Sequence, residues 1–390
     1  MAAKTMHFRV GNGDMMLMVL DSGKRILVDI DIRADADDED TDTPDVGGQL
    51  RKELEDLGRD SKGRLYVDAF LLTHPDQDHI RGLKNHFHLG PPGDWSKSAD
   101  KILIREQWSS PIVFRRASKD HTLCDDACDW SAEARRRVKK FREEGTQVDG
   151  NRILIMGEDV DGKTDDIGAI VVKVDSLFST IAGAGDESFE ARLLAPLKAD
   201  DEEEEALISK NDSSVILRVD LKVSQVVKAR YLIGGDAGVA IWERLWDRNK
   251  NRASRLEYDV LIAPHHCSWR SLSYDSWSEK GEKAKVNEAA RSALAQAREG
   301  ALIISSSKPV EDDEDDPPCI RAKREYLEIL EQPNGEFKCV ADGSGDKPLV
   351  IEIASSGTKI KRAAFATALG LGTGIGSQPL AHGSSADDED

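Results

Sequence analysis

The chain lacks any long apolar run. No stretch of about 18 consecutive apolar residues, the length that a membrane-spanning helix requires, occurs among its 390 residues. The opening residues, MAAKTMHFRV, also lack the apolar core of a secretory signal. The five cysteines are odd in number, and without a secretory signal they indicate a reduced protein rather than a disulfide framework. We therefore expect a soluble, cytoplasmic protein with no membrane partner.

Basic residues are in deficit. The chain has 54 Lys and Arg against 73 Asp and Glu, which gives a formal net charge of −19. Because contacts to a phosphate backbone need Lys and Arg, this balance disfavours broad, unspecific binding to nucleic acid, although a local basic groove is still compatible with it. The segment RRRVKKF (135–141) is the best local candidate, with a solvated helix face as the alternative. We interpret the acidic blocks as solvated loops and a tail; they lie at 35–45, 199–206, 311–316 and 387–390.

Short apolar segments and helical patterns alternate along the chain. TMHFRV, MMLMVL and KRILVDI are separated by the turn signals GNGD and DSG, and further strands follow in the second half. Helical spacing occurs at 46–58, 131–145 and 282–300, whereas residues 90–130 have no regular pattern. The order predicts an α/β fold with two sheets and helices outside them. We expect one domain over residues 1–362 and a disordered Gly/Ala/Ser and acidic tail over 363–390. Insertions are expected near 33–45, 90–150, 199–206 and 310–317.

Histidine is also scarce, with nine in the chain, yet LLTHPDQDHIRGL (71–83) contains two of them beside two carboxylates. In an extended chain leaving a strand, the side chains of His74, Asp76 and Asp78 point to one side, and Pro75 favours that conformation for His74. His79 begins a helix and can turn back toward them. Four such groups in one small volume favour a divalent cation between them. The alternative is a polar loop in which Asp78 caps the helix.

Two more strands end in residues of the same kind. YLIGGDAG (231–238) ends an apolar strand with Asp236 between glycines and an alanine, and YDVLIAPHHCSW (258–269) ends another with His265 and His266. Three strands that each end in metal-type side chains predict a shared site at one edge of the fold.

These three motifs resemble, in order and spacing, the metallo-β-lactamase fold. The closest likeness is to the soluble hydrolase domain of ComEC/Rec2-type DNA-uptake proteins, whose branch carries His-x-Asp-x-Asp-His as at 74–79. VGNGD (10–14), ILVDI (26–30), NDSSVILRV (211–219) and ALIISSS (301–307) extend the likeness over roughly residues 5–355. The resemblance implies an αββα sandwich of two mixed β-sheets with helices outside.

The resemblance also implies a site with two divalent metal ions, zinc or manganese. His74 and Asp76 would hold the first ion, Asp78, His79 and one of the two late histidines the second, and Asp236 would bridge them. The late histidine that is not a ligand would protonate the leaving group. The expected residues are, as metal ligands, His74, Asp76, Asp78, His79, Asp236 and His265; as catalytic residues, Asp78, Asp236 and His266; and as substrate-binding residues, Asn211, Ser214 and Ser268.

Three residues depart from the family pattern. Cys267 stands where glycine usually follows the late histidine pair, Arg81 stands where glycine is common, and Asp31 replaces the glycine after VDI. These departures bear on the substrate more than on the metal ions.

The expected function is a metal-dependent phosphodiesterase, either a nuclease or a hydrolase of a small nucleotide, that uses a metal-bridged hydroxide. A protein partner that delivers nucleic acid would fit the acidic net charge. The alternatives are a metallohydrolase of a lactone or thioester, and a non-enzymatic partner protein on the same scaffold.

Overall fold

The computed structural model describes residues 3–37, 41–114, 123–159, 162–198, 211–342 and 345–361. The statements below concern these residues. The predicted tail over 363–390 and the acidic block at 199–206 lie outside them.

The described residues form twenty strands and five helices of seven residues or more. The strands are β1 (Ala3–His7), β2 (Met16–Val19), β3 (Arg25–Val28), β4 (Ile30–Asp31), β5 (Tyr66–Leu72), β6 (Phe87–His88), β7 (Ile102–Ser109), β8 (Arg152–Met156), β9 (Val171–Val172), β10 (Leu177–Phe178), β11 (Thr180–Ile181), β12 (Ala184–Gly185), β13 (Phe189–Ala195), β14 (Ile216–Val223), β15 (Val226–Ile233), β16 (Tyr258–Ile262), β17 (Ala297–Ser305), β18 (Glu336–Cys339), β19 (Leu349–Ala354) and β20 (Gly357–Ile360). The helices are α1 (Val46–Asp56), α2 (Asp125–Glu144), α3 (Val239–Asn249), α4 (Glu288–Leu294) and α5 (Ile320–Glu331). Shorter helical turns occur at Gln77–Ile80, Leu83–His86, Pro264–Cys267 and Trp277–Lys280.

Two large mixed sheets organise the fold. The first has ten strands in the order β20-β19-β1-β2-β3-β5-β7-β8-β9, with β6 beside β7, and the second has seven in the order β10-β13-β14-β15-β16-β17-β18. Strands β3, β5, β7 and β8 run parallel in the first sheet, as do β15 to β18 in the second. The segments that carry the motifs follow the carboxyl ends of β5, β15 and β16.

The buried side chains form three cores. In the middle core, Met18 and Leu71 of the first sheet pack with Val219 and Val260 of the second. A second core packs α1 and α2 on the other face of the first sheet, and a third packs α3, α4 and α5 on the other face of the second sheet. Strand β5 is buried on both faces because its alternate residues enter the middle core and the core under α1 and α2, and Asp68 is its one charged residue. The predicted α/β class, with mixed sheets and helices, is confirmed.

None of the helices described is both long enough and apolar enough to cross a bilayer.

Two sequence-based assignments are wrong. Residues 90–130, predicted to be irregular, contain the eight-residue strand β7, which pairs with β5 and β8. The helix predicted over 282–300 extends only over Glu288–Leu294, and β17 begins at Ala297. Pairing of β17 with β16 and β18 on its two sides outweighs the local helical preference of this segment.

Candidate metal centre

The segment after β5 presents two imidazoles side by side. Hydrogen bonds hold one ring nitrogen of each: His74 Nδ1 lies 3.2 Å from Thr73 Oγ1, and His79 Nδ1 lies 2.8 Å from Asp29 Oδ2. The rings are 4.1 Å apart between centroids, and the Nε2 atom of each is buried without a hydrogen-bond partner. Asp78 lies inside the turn Gln77–Ile80 rather than at its N-cap, so the alternative interpretation of Asp78 as a helix cap is wrong.

Asp236, which follows β15, stands between the histidines. Its Oδ1 lies 3.1 Å from His79 Nε2 and 3.6 Å from His266 Nε2. Its Oδ2 lies 3.6 Å from the Nε2 atoms of both His74 and His265. Each oxygen of one buried carboxylate therefore faces a different pair of imidazoles.

A glycine allows this carboxylate to approach. Gly235 has φ +49°, and a Cβ atom there would lie 2.9 Å from Cβ and Oγ1 of Thr73. Any side chain at this position would push the Asp236 segment away from the segment that follows β5.

The late histidine pair diverges because its backbone is left-handed. His265, His266 and Cys267 have φ values of 51°, 52° and 68°, a conformation that non-glycine residues seldom adopt. The two imidazole centroids are 6.0 Å apart, at an interplanar angle of 77°. His266 Nδ1 lies 3.1 Å from the carbonyl oxygen of Ser306, and His266 Nε2 lies 3.3 Å from Asp78 Oδ2. The structure thus brings both histidines to Asp236, with His266 on the side of Asp78 and His79, and His265 on the side of His74.

Asp14 belongs to the same cluster, although the sequence analysis did not place it in the site. One ligand atom from each of Asp14, His79, Asp236 and His266 lies within 4.8 Å of all the others. The residue sits in the turn before β2, and its amide donates to the carbonyl oxygen of Asp78 at 3.2 Å. The sequence offered only a turn signal and the resemblance of VGNGD here, and neither identifies a ligand.

The donor set fits a divalent cation. Buried polar atoms without partners are costly, and His79 Nε2, His266 Nε2 and Asp236 Oδ1 are three such atoms that converge on one point. Imidazole nitrogens with carboxylate oxygens are an ordinary ligand set for zinc or manganese. On the other side of Asp236, His74 Nε2 lies 3.6 Å from Asp76 Oδ2. The cluster can therefore hold a metal ion at Asp14, His79, Asp236 and His266.

The charges in the cluster compensate one another. Burial by itself lowers the pKa of His79, but the carboxylates of Asp236 and Asp29 outweigh it and raise that pKa well above 6.5. Burial likewise opposes protonation of His266, whereas Asp236 and Asp78 favour it, and its pKa rises to about 9. Burial raises the pKa of Asp236, yet the neighbouring imidazoles hold it well below its usual value. A bound cation would replace these imidazolium charges and release their protons.

The three predicted substrate-binding residues have different surroundings. Ser214 is buried, and its hydroxyl has no hydrogen-bond partner among the described residues. Its Oγ atom would lie 3.2 Å from a Cβ atom built on Gly235. Asn211 is half-buried and its carbonyl oxygen accepts from the amide of Ser214. Ser268 is buried and engaged by protein groups, because its hydroxyl donates to Asp316 at 2.6 Å and accepts from the amide of Arg270.

Two departures from the family pattern are paired with each other. Arg81 Nε lies 3.1 Å from Asp31 Oδ1, and burial raises the pKa of Asp31 to about 6 against the opposing effect of Arg81 and Arg33. A Cβ atom on Gly13 would lie 2.8 Å from Asp31 Oδ2 and 2.9 Å from the carbonyl oxygen of Asp78. Asp31 thus supports the segments that carry Asp14 and Asp78.

Comparison with protein-family models and with curated proteins finds no significant match.

Proposed function

We propose that the chain is a metal-dependent hydrolase of the metallo-β-lactamase type that cleaves phosphodiester bonds. Two large sheets with a common core, helices on their outer faces and ligand segments after β5, β15 and β16 support the αββα architecture. The resemblance of the three motifs to ComEC/Rec2-type hydrolase domains supports the same assignment.

The observation that carries the proposal is the position of Asp236. Its two oxygens face two pairs of imidazoles, as a carboxylate shared between two cations does. His74, Asp76 and His265 would hold one divalent ion. The other would be held by the cluster on the opposite side, which comprises Asp14, Asp78, His79 and His266. Two such ions supply Lewis acidity that activates a water molecule and neutralises charge on a phosphate.

Residues around the ligands set their protonation. Asp29 Oδ2 accepts from His79 Nδ1, and the carbonyl oxygen of Ser306 accepts from His266 Nδ1, so the Nε2 lone pair of each ring is available for a cation. Four carboxylates contribute oxygen ligands, a harder set than histidine alone, which favours manganese beside zinc and suits phosphate chemistry. The carboxylate of Asp78 can orient the attacking water or accept its proton.

Metal analysis paired with turnover tests the proposal. We expect purified protein loaded with Mn²⁺ or Zn²⁺ to hold two ions per chain and to hydrolyse bis-p-nitrophenyl phosphate. His79→Ala should abolish both properties, whereas His86→Ala, a half-buried histidine outside the cluster, should keep them. Hydrolysis of a lactone or thioester panel in place of the diester would contradict the phosphodiester assignment, and a loaded protein inactive on all three would contradict the enzyme assignment.

A further inference from the structure

An acidic segment is hydrogen-bonded to segments that carry ligands of the candidate metal centre. Residues 311–316 form the run EDDEDD, between β17 and α5. Asn12 holds this connection at both ends: its Oδ1 accepts from the amide of Lys308 at 3.0 Å, and its Nδ2 donates to the carbonyl oxygen of Pro317 at 2.9 Å. Because Asn12 is two residues before Asp14, the acidic loop (residues 311–316) is fixed to the segment that brings Asp14 into the cluster.

The same loop is fixed to the late histidine turn. Asp316 Oδ1 accepts from Ser268 Oγ at 2.6 Å and from the amide of Trp269 at 3.0 Å, directly after the turn Pro264–Cys267. The indole of Trp277 donates to the carbonyl oxygen of Asp313 at 3.3 Å. The acidic loop is therefore anchored on two of the segments that supply metal ligands.

Most of the charge on this loop is uncompensated. Residues 311–315 are all exposed acids. Among the described residues, Asp312 alone of these five forms an ion pair, with Arg324 at 3.3 Å. The side chains of Glu311, Glu314 and Asp315 have no basic partner there. The loop thus carries several exposed negative charges and is held by two segments that supply ligands.

The basic residues of α2 do not compensate the charge of the acidic loop. This helix carries the segment 135–141, which the sequence indicated as the best local candidate for a basic groove that binds phosphate. Arg136 and Arg137 pair with Glu133, and Arg142 pairs with Asp166. The lysines pair with acids one turn further on, Lys139 with Glu143 and Lys140 with Glu144. Each of these bases therefore has an acidic partner within the chain.

We propose, on the basis of the proposed function, that the acidic loop selects the substrate by charge: the site takes a small phosphodiester or nucleotide and rejects a polynucleotide. The centre suits an anion bound through cations, since among the described residues Nε2 of His74, His79 and His266 and Oδ1 of Asp236 are buried without a hydrogen-bond partner and converge where a cation would sit. A single diester brings one negative charge into the site. A nucleic acid strand brings one charge every ~3.4 Å, so several phosphates lie within the ~8 Å screening length of the loop at physiological salt.

Charge neutralisation of the loop tests this selection. In the loop variant, Glu311→Gln, Asp313→Asn, Glu314→Gln and Asp315→Asn remove four exposed charges while keeping side-chain shape. In the matched control, Asp56→Asn, Asp94→Asn, Glu187→Gln and Glu299→Gln remove four exposed charges elsewhere on the surface. Both proteins and the wild type are loaded with Mn²⁺, and kcat/KM is measured on bis-p-nitrophenyl phosphate and on a single-stranded oligonucleotide.

We expect the loop variant to raise kcat/KM on the oligonucleotide about tenfold at physiological salt, with a smaller gain at high salt because the repulsion is screened. Turnover of the small diester should change less than twofold, and the control should change neither substrate by more. An equal change on both substrates, or no change on the oligonucleotide, would overturn the inference.

Binding separates this inference from the proposed function. If no protein hydrolyses the small diester, the proposed function fails, but fluorescence anisotropy of a labelled oligonucleotide still reports on the loop. The loop variant should bind the oligonucleotide about tenfold more tightly than the wild type and the control. Equal affinity of all three proteins would contradict charge selection without any reference to turnover.

Discussion

Replacement of Asp236 by asparagine tests the shared carboxylate most sharply. The substitution keeps the shape of the side chain but removes its charge and turns one of two oxygens into an amide nitrogen, which is not a ligand. The lost oxygen is either Oδ1, 3.1 Å from His79 Nε2, or Oδ2, 3.6 Å from the Nε2 atoms of His74 and His265. Either choice removes a ligand from one side of the centre and the bridging charge from both sides.

The expected loss is large. Mutation of groups that only support a ligand costs about 10- to 100-fold in metal affinity, so loss of a shared ligand should cost at least about 100-fold, which is about 3 kcal/mol at ~1.4 kcal/mol per tenfold. We expect Asp236→Asn to retain at most one ion per chain after gel filtration, measured by inductively coupled plasma mass spectrometry, and to lose phosphodiester turnover. Competition with a chelator gives the affinity of the remaining site.

Asp68→Asn is the matched control. Asp68 is buried in β5 and accepts from the amide of Arg25 at 3.0 Å and from Arg105 Nη1 at 2.8 Å, outside the cluster. This variant should have a lower melting temperature, because a partly buried ion pair is broken, but the metal content of the wild type. If Asp236→Asn kept two ions per chain, or if Asp68→Asn lost them to the same extent, Asp236 would not be a shared ligand.

Three further predictions concern the ligands Asp14 and His266 and the neighbouring residue Asp29. Asp29→Asn should lower stability by about 1–3 kcal/mol in denaturant titrations, because Asp29 accepts from both the amide and the hydroxyl of Thr73 and from His79; unchanged stability would refute this. Asp14→Ala should weaken one of two metal-binding steps in calorimetry, while the same two-step isotherm at wild-type affinity would exclude Asp14 as a ligand. The raised pKa of His266, about 9 against 6.5 in the unfolded chain, stabilises the metal-free protein below pH 6.5, and this contribution is lost as pH rises through 9. The melting temperature of the metal-free protein should fall over that range and that of the loaded protein should not, since a ligand imidazole is neutral in both conditions; parallel curves would contradict the assignment.

Periodicity and local chemistry were enough to predict the parts of the fold that depend on short segments. The apolar segment before His74 predicted a strand, observed as β5, and the alternation of His74, Asp76 and Asp78 after it predicted ligands on one side. The prediction failed over 282–300, where the pairing of β17 with two neighbouring strands decides the structure. Such pairing brings together residues distant in sequence, and no local pattern reports it.

The candidate site was also only partly predictable from local sequence patterns. Asp236 and the late histidines were identified because each follows an apolar strand. His265 was expected to be a ligand and His266 a catalytic residue, whereas three successive left-handed residues aim the two rings to different sides of Asp236 and bring His266 to Asp14 and His79. Asp14 was missed because a glycine-rich turn before a strand is a common feature, and only the packing of this turn against the carbonyl oxygen of Asp78 brings its carboxylate to the cluster.

Anomalous diffraction from crystals of the metal-loaded protein, recorded at the zinc or manganese edge, locates the ions relative to Asp236. We expect two peaks about 3.5–4 Å apart on either side of the Asp236 carboxylate, one in contact with His79 and His266 and the other with His74 and His265. A single peak that Asp236 does not contact, or no peak at this edge of the fold, would contradict this expectation.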